Sequence, residues 1–237
     1  MTLRPFFLFY GAKWRLAPSY PPPRFDLLIE PFAGAAGYSL RHPTRQVHLI
    51  DADEIIIGIW HYLIDVTETE VLTLPDIPAG ATVHDVDWPC IEARWLAGMW
   101  LTRGAVFPNV SASAWARDER YRKWFWGPSV RQRIASQLYA IRHWSAEVGD
   151  YRRIKDVEAT WFIDPPYIDK GRYYRKRDID YGQLADWCRS RRGQVIVCEQ
   201  AGATWLPFQF HRRAKANESL HGGKTSNEVV WTNDLDG

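Results

Sequence analysis

Cysteine is scarce in this chain, and long apolar runs are missing. The 237 residues include three cysteines, Cys90, Cys188 and Cys198, whose spacing fits neither a metal site nor an even disulfide framework. No stretch is long and apolar enough to span a bilayer. The apolar start at residues 3–10 is too short for a signal peptide and lacks a small-residue cleavage site. We therefore expect a cytoplasmic, soluble protein without disulfides, a metal or a membrane partner.

The chain also lacks a strong excess of either charge. Its formal net charge is +2, so the overall charge indicates no class of partner. Repeats and low-complexity segments are missing as well. The length and the 46% of hydrophobic residues suit one large domain, or one domain with an insertion, around a real core. Tryptophan is abundant, with 13 residues, and it serves cores, interfaces and base stacking alike.

The first part of the chain predicts a strand, a small-residue turn and a second strand. Residues 26–32 form an apolar run typical of a buried strand, and residues 33–40 predict a glycine turn leading into a helix. A second strand at residues 47–50 ends at Asp51, a position where an acidic residue usually binds ribose hydroxyls. A buried helix is predicted at residues 55–64. This order predicts a nucleoside-binding half of a doubly wound sheet, and it allows a nicotinamide cofactor and S-adenosylmethionine equally.

A stiff turn follows the next predicted strand. The apolar residues 161–163 end in Asp164-Pro165-Pro166-Tyr167, and each proline fixes its own φ and removes a backbone N–H. The turn offers a carboxylate, backbone carbonyls and an aromatic ring at the carboxyl end of a strand. This set suits a planar base with an exocyclic amine, whose two protons a carboxylate and a carbonyl accept. A simple strand-ending turn capped by Asp164 is the alternative.

The remaining segments complete the predicted sheet and its possible ligands. A helix is predicted at residues 181–192, and strands are predicted at residues 194–199, 208–211 and 229–232. Near the start, the ammonium of Lys13 could hold a carboxylate together with free backbone N–H groups. Asp150 could accept a hydrogen bond from an adenine amino group.

Two basic stretches suggest contact with nucleic acid. Between residues 67 and 148 basic and aromatic residues alternate over predicted helices, which indicates an inserted, mainly helical lobe. Its candidate DNA-binding residues are Arg120, Arg122 and Lys123. A second stretch directly follows Tyr167, where a phosphate backbone would pass; its candidates are Lys170, Arg172, Arg175, Lys176 and Arg177. Solvated charged surface is the alternative for both.

Taken in order, five stretches resemble the DNA adenine-N6 methyltransferases, the family that includes the bacterial GATC methylase and many phage enzymes. These stretches are Tyr10-Gly11-Ala12-Lys13, Glu30-Pro31-Phe32-Ala33-Gly34, Asp51-Ala52-Asp53, Asp164-Pro165-Pro166-Tyr167 and Ser226-Asn227-Glu228-Val229-Val230-Trp231-Thr232-Asn233. The resemblance implies an α/β fold with a doubly wound, mostly parallel, Rossmann-like methyltransferase sheet. Residues 1–66 and 149–237 would form the catalytic domain, and residues 67–148 the inserted target-recognition lobe.

The resemblance also implies the ligands and their residues. S-adenosylmethionine would be the cofactor and double-stranded DNA the partner, in a bacterial or phage-infected cell, with the protein a monomer or weak dimer and no metal required. The cofactor site would be lined by Tyr10, Lys13, Glu30, Phe32, Gly34, Asp51 and Asp150. The flipped adenine would be held and methylated at Asp164, Pro165, Pro166 and Tyr167.

Two departures from the family pattern carry an expectation. The family has Gly-Gly-Lys where this chain has Gly11-Ala12-Lys13, and Gly-x-Gly where it has Gly34-Ala35-Ala36, with the next glycine one place later at Gly37. The methyl group of Ala36 is therefore expected to narrow the approach of the cofactor.

Other functions remain open from the sequence. RNA guanine-N2 and protein-glutamine methyltransferases have similar turns but usually lack so long an insertion. Cytosine-N4 methylases more often have serine in place of Asp164. An RNA base methyltransferase, or a decayed methylase retained as a DNA-binding protein, stays possible.

Overall fold

The computed structural model describes residues 2–168, 178–215 and 225–233. In this part of the chain seven strands form one sheet in the order β3-β2-β1-β4-β5-β7-β6. Only β7 runs against its neighbours, β5 and β6. The strands are β1 Leu27–Glu30, β2 Gln46–Asp51, β3 Ser145–Val148, β4 Ala159–Ile163, β5 Gly193–Gln200, β6 Gln209–Lys215 and β7 Thr225–Thr232. The predicted α/β class with a mostly parallel sheet is confirmed.

Helices lie on both faces of this sheet. Side chains on successive positions of a strand alternate between the faces, so Leu28 packs in one core and Ile29 in the other. The first core includes α1, α3 and α5, and the second includes α6. The α-helices among the described residues are α1 Glu54–Asp65, α2 Glu68–Thr73, α3 Ile91–Met99, α4 Ala114–Arg117, α5 Pro128–Ala135 and α6 Tyr181–Arg189. No helix in this part of the chain is long and apolar enough to cross a membrane.

The segment predicted as an inserted lobe, residues 67–148, packs directly on the sheet. It contains α2 to α5, and its buried side chains share one core with β1, β2 and the N-terminal residues. The indole N–H of Trp100 donates to the carbonyl of Phe6 at 2.9 Å. Its last four residues form β3, which pairs in parallel with β2 at the edge of the sheet. The boundary between lobe and sheet therefore falls before β3.

The helix expected after the glycine turn is wrong. Residues 31–38 form turns, and only the single 3-10 turn Ser39–Arg41 follows before β2. Gly34 and Ala36 have φ values of +45° and +49°, a left-handed geometry that a right-handed helix cannot continue. The helix predicted at residues 181–192 begins as expected and ends earlier, at Arg189.

Candidate functional site

A cavity of about 450 Å³ opens at the carboxyl ends of β1, β2 and β4. Ligands in doubly wound sheets bind at this edge, outside the ends of the strands. The seven residues predicted to bind a cofactor all line the cavity, and so do Asp164 and Pro166 of the proline turn. Pro165 and Tyr167 lie behind this wall. The fold thus brings together side chains that the sequence placed on five separate segments.

The glycine turn after β1 is closed by Asp51. The backbone N–H groups of Gly34 and Asp53 donate to its two carboxylate oxygens at 3.0 and 2.9 Å. Burial raises the pKa of Asp51 to about 6, against these hydrogen bonds, which lower it. A Cβ on Gly34 would lie 2.9 Å from the ring of Phe9. Glycine is therefore needed at this position, and the acid at the tip of β2 shapes the turn.

The glycine that stands one place late, Gly37, has its own structural reason. A Cβ there would lie 2.5 Å from the backbone nitrogen of Trp14 and 2.8 Å from that of Lys13. The turn and the N-terminal segment thus pack backbone to backbone at Gly37. Ala36 is fully buried in the core and does not line the cavity. The expectation that its methyl group narrows the approach of a cofactor is therefore wrong.

Glu30, at the end of β1, is buried and anchors the chain after the turn. Its carboxyl oxygen accepts hydrogen bonds from the backbone N–H of Ser39 at 2.8 Å and from the Ser39 hydroxyl at 2.5 Å. Burial raises the pKa of Glu30 to about 8, although both bonds from Ser39 lower it. Near neutral pH this group is therefore mostly uncharged.

Lys13 links the cofactor region to the proline turn. Its ammonium, in a residue only 6% exposed, donates to the carbonyl of Gly11 at 3.0 Å and to Asp164 Oδ2 at 2.9 Å. It lies 4.7 Å from the centre of the Tyr167 ring and 3.7 Å from Glu228 Oε1. Burial lowers the pKa of Lys13, but Asp164 and Glu228 together raise it above its ordinary value. The side chain stays a cation, held between two carboxylates.

Asp164 presents a carboxylate oxygen without a hydrogen-bond partner. Its Oδ1 is 2.7 Å from the Lys13 ammonium, yet this buried atom accepts no hydrogen bond from the described residues. Burial raises the pKa of Asp164 to about 6, while the Lys13 ammonium lowers it. The next backbone acceptor, the carbonyl of Pro166, is occupied by the hydroxyl of Tyr181. Asp164 can therefore accept a proton-bearing ligand group at the cavity wall.

The sequence reasoning missed the part that Glu228 plays. This residue of β7 is 3% exposed and accepts hydrogen bonds from the hydroxyls of Tyr20, at 3.0 Å, and Tyr167. It therefore fixes the phenol end of the tyrosine in the proline turn. A lone carboxylate beside the apolar residues of a closing strand was the available signal.

The far wall of the cavity is aromatic and polar. The rings of Phe32 and Tyr151 lie 5.5 Å apart. The carboxylate of Asp150 accepts the backbone N–H of Arg152 at 3.0 Å and pairs with its guanidinium. Hydrogen bonding to Arg152 holds the pKa of Asp150 below its ordinary value. Tyr10 ties this region to the inserted segment, because its N–H donates to the carbonyl of Ala105 at 2.9 Å.

The predicted DNA-binding residues do not line the cavity. Arg120 is exposed and pairs with Asp118 at 2.6 Å. Lys123 is exposed, with its ammonium 5.4 Å from the Trp124 ring, and Arg122 begins a short 3-10 turn. The remaining candidates lie outside the described residues: Lys170, Arg172, Arg175, Lys176 and Arg177. In the described ranges no group of three or more His, Cys, Asp or Glu side chains is placed to hold a metal ion.

Comparisons with known proteins follow the course of the backbone. No protein-family model matches the chain, and no curated protein matches it. A crystal structure from Pyrococcus horikoshii, named provisionally as an RNA methyltransferase, has a TM-score of 0.38 and 9% identity, over 93% of this chain and 76% of its own. An Escherichia coli protein, named provisionally as a methyltransferase, has a TM-score of 0.37 and 12% identity, over 97% of this chain and 87% of its own. An activity for this chain must therefore be argued from the residues of the cavity.

Proposed function

We propose that this chain is an S-adenosylmethionine-dependent methyltransferase that acts on the N6 amine of adenine in double-stranded DNA. The observation that carries the proposal is Asp164, whose Oδ1 is a buried acceptor without a hydrogen-bond donor at the wall of the cavity. A proline turn places this carboxylate at the end of β4, beside an aromatic ring. An exocyclic amine has the protons that such an acceptor requires.

The charge of the cavity favours S-adenosylmethionine over a dinucleotide. Six acidic side chains line it against two basic ones, Lys13 and Arg152; the acidic residues are Glu30, Asp51, Asp53, Asp150, Asp164 and Asp178. A sulfonium cation suits this lining, whereas the pyrophosphate of a nicotinamide cofactor would meet an excess of carboxylates.

The backbone around the cavity supports the same choice. Dinucleotide sites place the pyrophosphate at the N-terminus of the helix that follows the glycine turn. Here only the turn Ser39–Arg41 follows, so no such helix terminus is available. The sixth strand of a dinucleotide-binding sheet lies beside the fifth, but in this sheet the reversed β7 separates β5 from β6.

Residues of this chain would hold the target amine during transfer. S-adenosylmethionine, when bound, supplies an electrophilic methyl group on a sulfonium. The adenine must leave the duplex, at a cost of about a few kcal/mol, and stacking on the ring of Tyr167 would return about 1–3 kcal/mol. Asp164 Oδ1 and the carbonyl of Pro165 would accept the two amine protons. The Asp164 carboxylate would then face positive charge that grows on the nitrogen only as the new bond forms.

A tritiated-methyl assay tests the proposal. Unmethylated duplex DNA and RNA are each incubated with labelled S-adenosylmethionine, and the products are hydrolysed to nucleosides. We expect label in N6-methyladenosine from DNA, and loss of transfer by orders of magnitude in Asp164→Asn. The exposed Asp186 (86% of its side chain accessible) gives the control Asp186→Asn, which should keep full activity.

Calorimetry separates binding from chemistry. Asp164→Asn should bind S-adenosylmethionine as the wild type does, while Asp51→Ala should bind it far more weakly because the glycine turn loses its anchor. Label in RNA alone would assign an RNA base methyltransferase instead. Tight binding of a dinucleotide would refute the cofactor assignment. DNA binding without transfer would indicate a decayed methylase.

A further inference from the structure

We propose that Glu228 is a positioning residue for methyl transfer, which holds the Tyr167 ring in place and shares the Lys13 ammonium with Asp164. The inference rests on the proposed function, because the target base would stack on that ring. Glu228 does not line the cavity. It would act through Tyr167 and Lys13, both of which reach the proline turn.

The geometry fixes the Tyr167 ring at two points. The phenol hydroxyl donates to Glu228 Oε1, and the Lys13 ammonium lies 4.7 Å from the centre of the ring. An aromatic side chain with a held hydroxyl and a contacted ring cannot rotate without breaking one of these contacts. The ring is therefore oriented before any base arrives, which lowers the entropic cost of stacking.

The charges make Glu228 more than a tether. One ammonium, on Lys13, is shared by two carboxylates, at 2.7 Å for Asp164 and 3.7 Å for Glu228. With both carboxylates ionised, this buried group carries one excess negative charge. That excess faces the positive charge that would develop on the amine nitrogen. Without Glu228 the ammonium would neutralise Asp164 alone, and the carboxylate would stabilise the transition state less.

Several titratable groups face Glu228 from the elements around it. Lys13 and Tyr20 come from the N-terminal segment, Asp164 and Tyr167 from the proline turn; the other two are Cys198 of β5 and His211 of β6. Glu228 raises the pKa of the Asp164 carboxyl, whereas the Tyr167 hydroxyl lowers it. Removing one or the other should therefore move the titration of Asp164 in opposite directions.

Two variants use this opposition. Glu228→Gln keeps the size of the side chain and an acceptor but removes the charge; Tyr167→Phe keeps the ring and removes the hydroxyl. We expect each to lower kcat about ten- to a hundredfold with little change in KM for S-adenosylmethionine, because a charged hydrogen bond is lost far from that ligand. The acid limb of the pH profile of kcat should move to lower pH in Glu228→Gln and to higher pH in Tyr167→Phe.

A control removes the other hydroxyl from the same carboxylate. Tyr20→Phe loses one hydrogen bond to Glu228 but leaves Tyr167 and the charge in place. It should change stability as the loss of any buried hydrogen bond does, with the acid limb unmoved. A merely structural Glu228 would give Tyr20→Phe and Glu228→Gln the same profile.

Carbon-13 NMR titration of Asp164, identified by its absence in Asp164→Asn, reads the network without any activity. A lower pKa in Glu228→Gln and a higher one in Tyr167→Phe support the inference even where the methyl assay fails, so a wrong substrate is distinguished from a wrong role for Glu228. An active wild type whose Glu228→Gln variant keeps kcat, acid limb and Asp164 pKa would overturn it.

Discussion

Replacing Lys13 with methionine removes the one cation that two buried carboxylates share. Its ammonium pairs with Asp164 at 2.7 Å and lies 3.7 Å from Glu228, and the partners' side chains are 18% and 4% exposed. Methionine fills a similar volume without a charge. Breaking a buried ion pair from one side costs about 3–5 kcal/mol, since the remaining charges stay desolvated. We expect Lys13→Met to lose about that much free energy of unfolding at pH 8.

The loss should shrink at lower pH. The pKa of Asp164 is about 6 in the folded wild type, raised from 3.8, and Lys13 lowers it, so it must rise further in the variant. A carboxyl with a raised folded pKa contributes stability that is full below its unfolded pKa and is lost as pH rises through the folded value. Protonation of Asp164 would therefore relieve the variant near pH 5, where its deficit should be clearly smaller than at pH 8.

Urea unfolding followed by tryptophan fluorescence at both pH values measures this difference. The exposed Lys155 supplies the control Lys155→Met, which should stay within about 0.5 kcal/mol of the wild type. The double variant Lys13→Met/Asp164→Asn removes one orphaned charge and should recover much of the loss, because residues in contact are not additive. A deficit below about 1 kcal/mol, or one equal at pH 5 and pH 8, would show that the ion pair does not organise the site.

Three further predictions concern other parts of the molecule. Glu30→Gln should gain stability relative to the wild type as pH rises from 7 to 9 in urea unfolding, because the Glu30 pKa is raised from 4.5 to about 8 and its stabilising protonated form is lost through that range. Gly37→Ala should lose about 1–3 kcal/mol in thermal unfolding, since its Cβ would lie 2.5 Å from a backbone nitrogen; the control Gly182→Ala in α6 should lose none. Neutralising three arginines together should weaken binding to all DNA and flatten its salt dependence by about one unit per phosphate contact; an unchanged slope would identify a solvated loop at Arg172, Arg175 and Arg177.

Much of the sheet and cavity follows from local sequence. Buried strands are short apolar runs with turn residues at their ends, so β1, β2, β4 and β5 can be read directly. Because parallel strands bring their carboxyl ends to one edge, the residues that follow them, such as Asp51 and Asp164, were expected to meet. They line one cavity. The strand ends therefore carried the positional information for the site.

Contacts between distant segments could not be read in the same way. The ion pair of Lys13 with Asp164 spans 151 residues, and no local pattern tells which carboxylate a lysine will meet. The edge strand β3 has four residues, most of them exposed, and so gives no apolar run. The helix expected after the glycine turn failed because Ala36 adopts a left-handed φ, which alanine rarely does.

The contact of the N-terminal segment with β7 has a consequence for how the chain acquires its site during synthesis. Tyr20 and Glu228 are 208 residues apart, so the early partner leaves the ribosome long before the late one exists. Contacts of such separation form slowly, because a long loop must close before they stabilise anything. The N-terminal apolar residues must wait, exposed or transiently covered, until β7 is inserted between β5 and β6. Completion of the cavity wall is therefore a late event in folding, and the nascent chain passes through a stage with a nearly whole sheet and no assembled site.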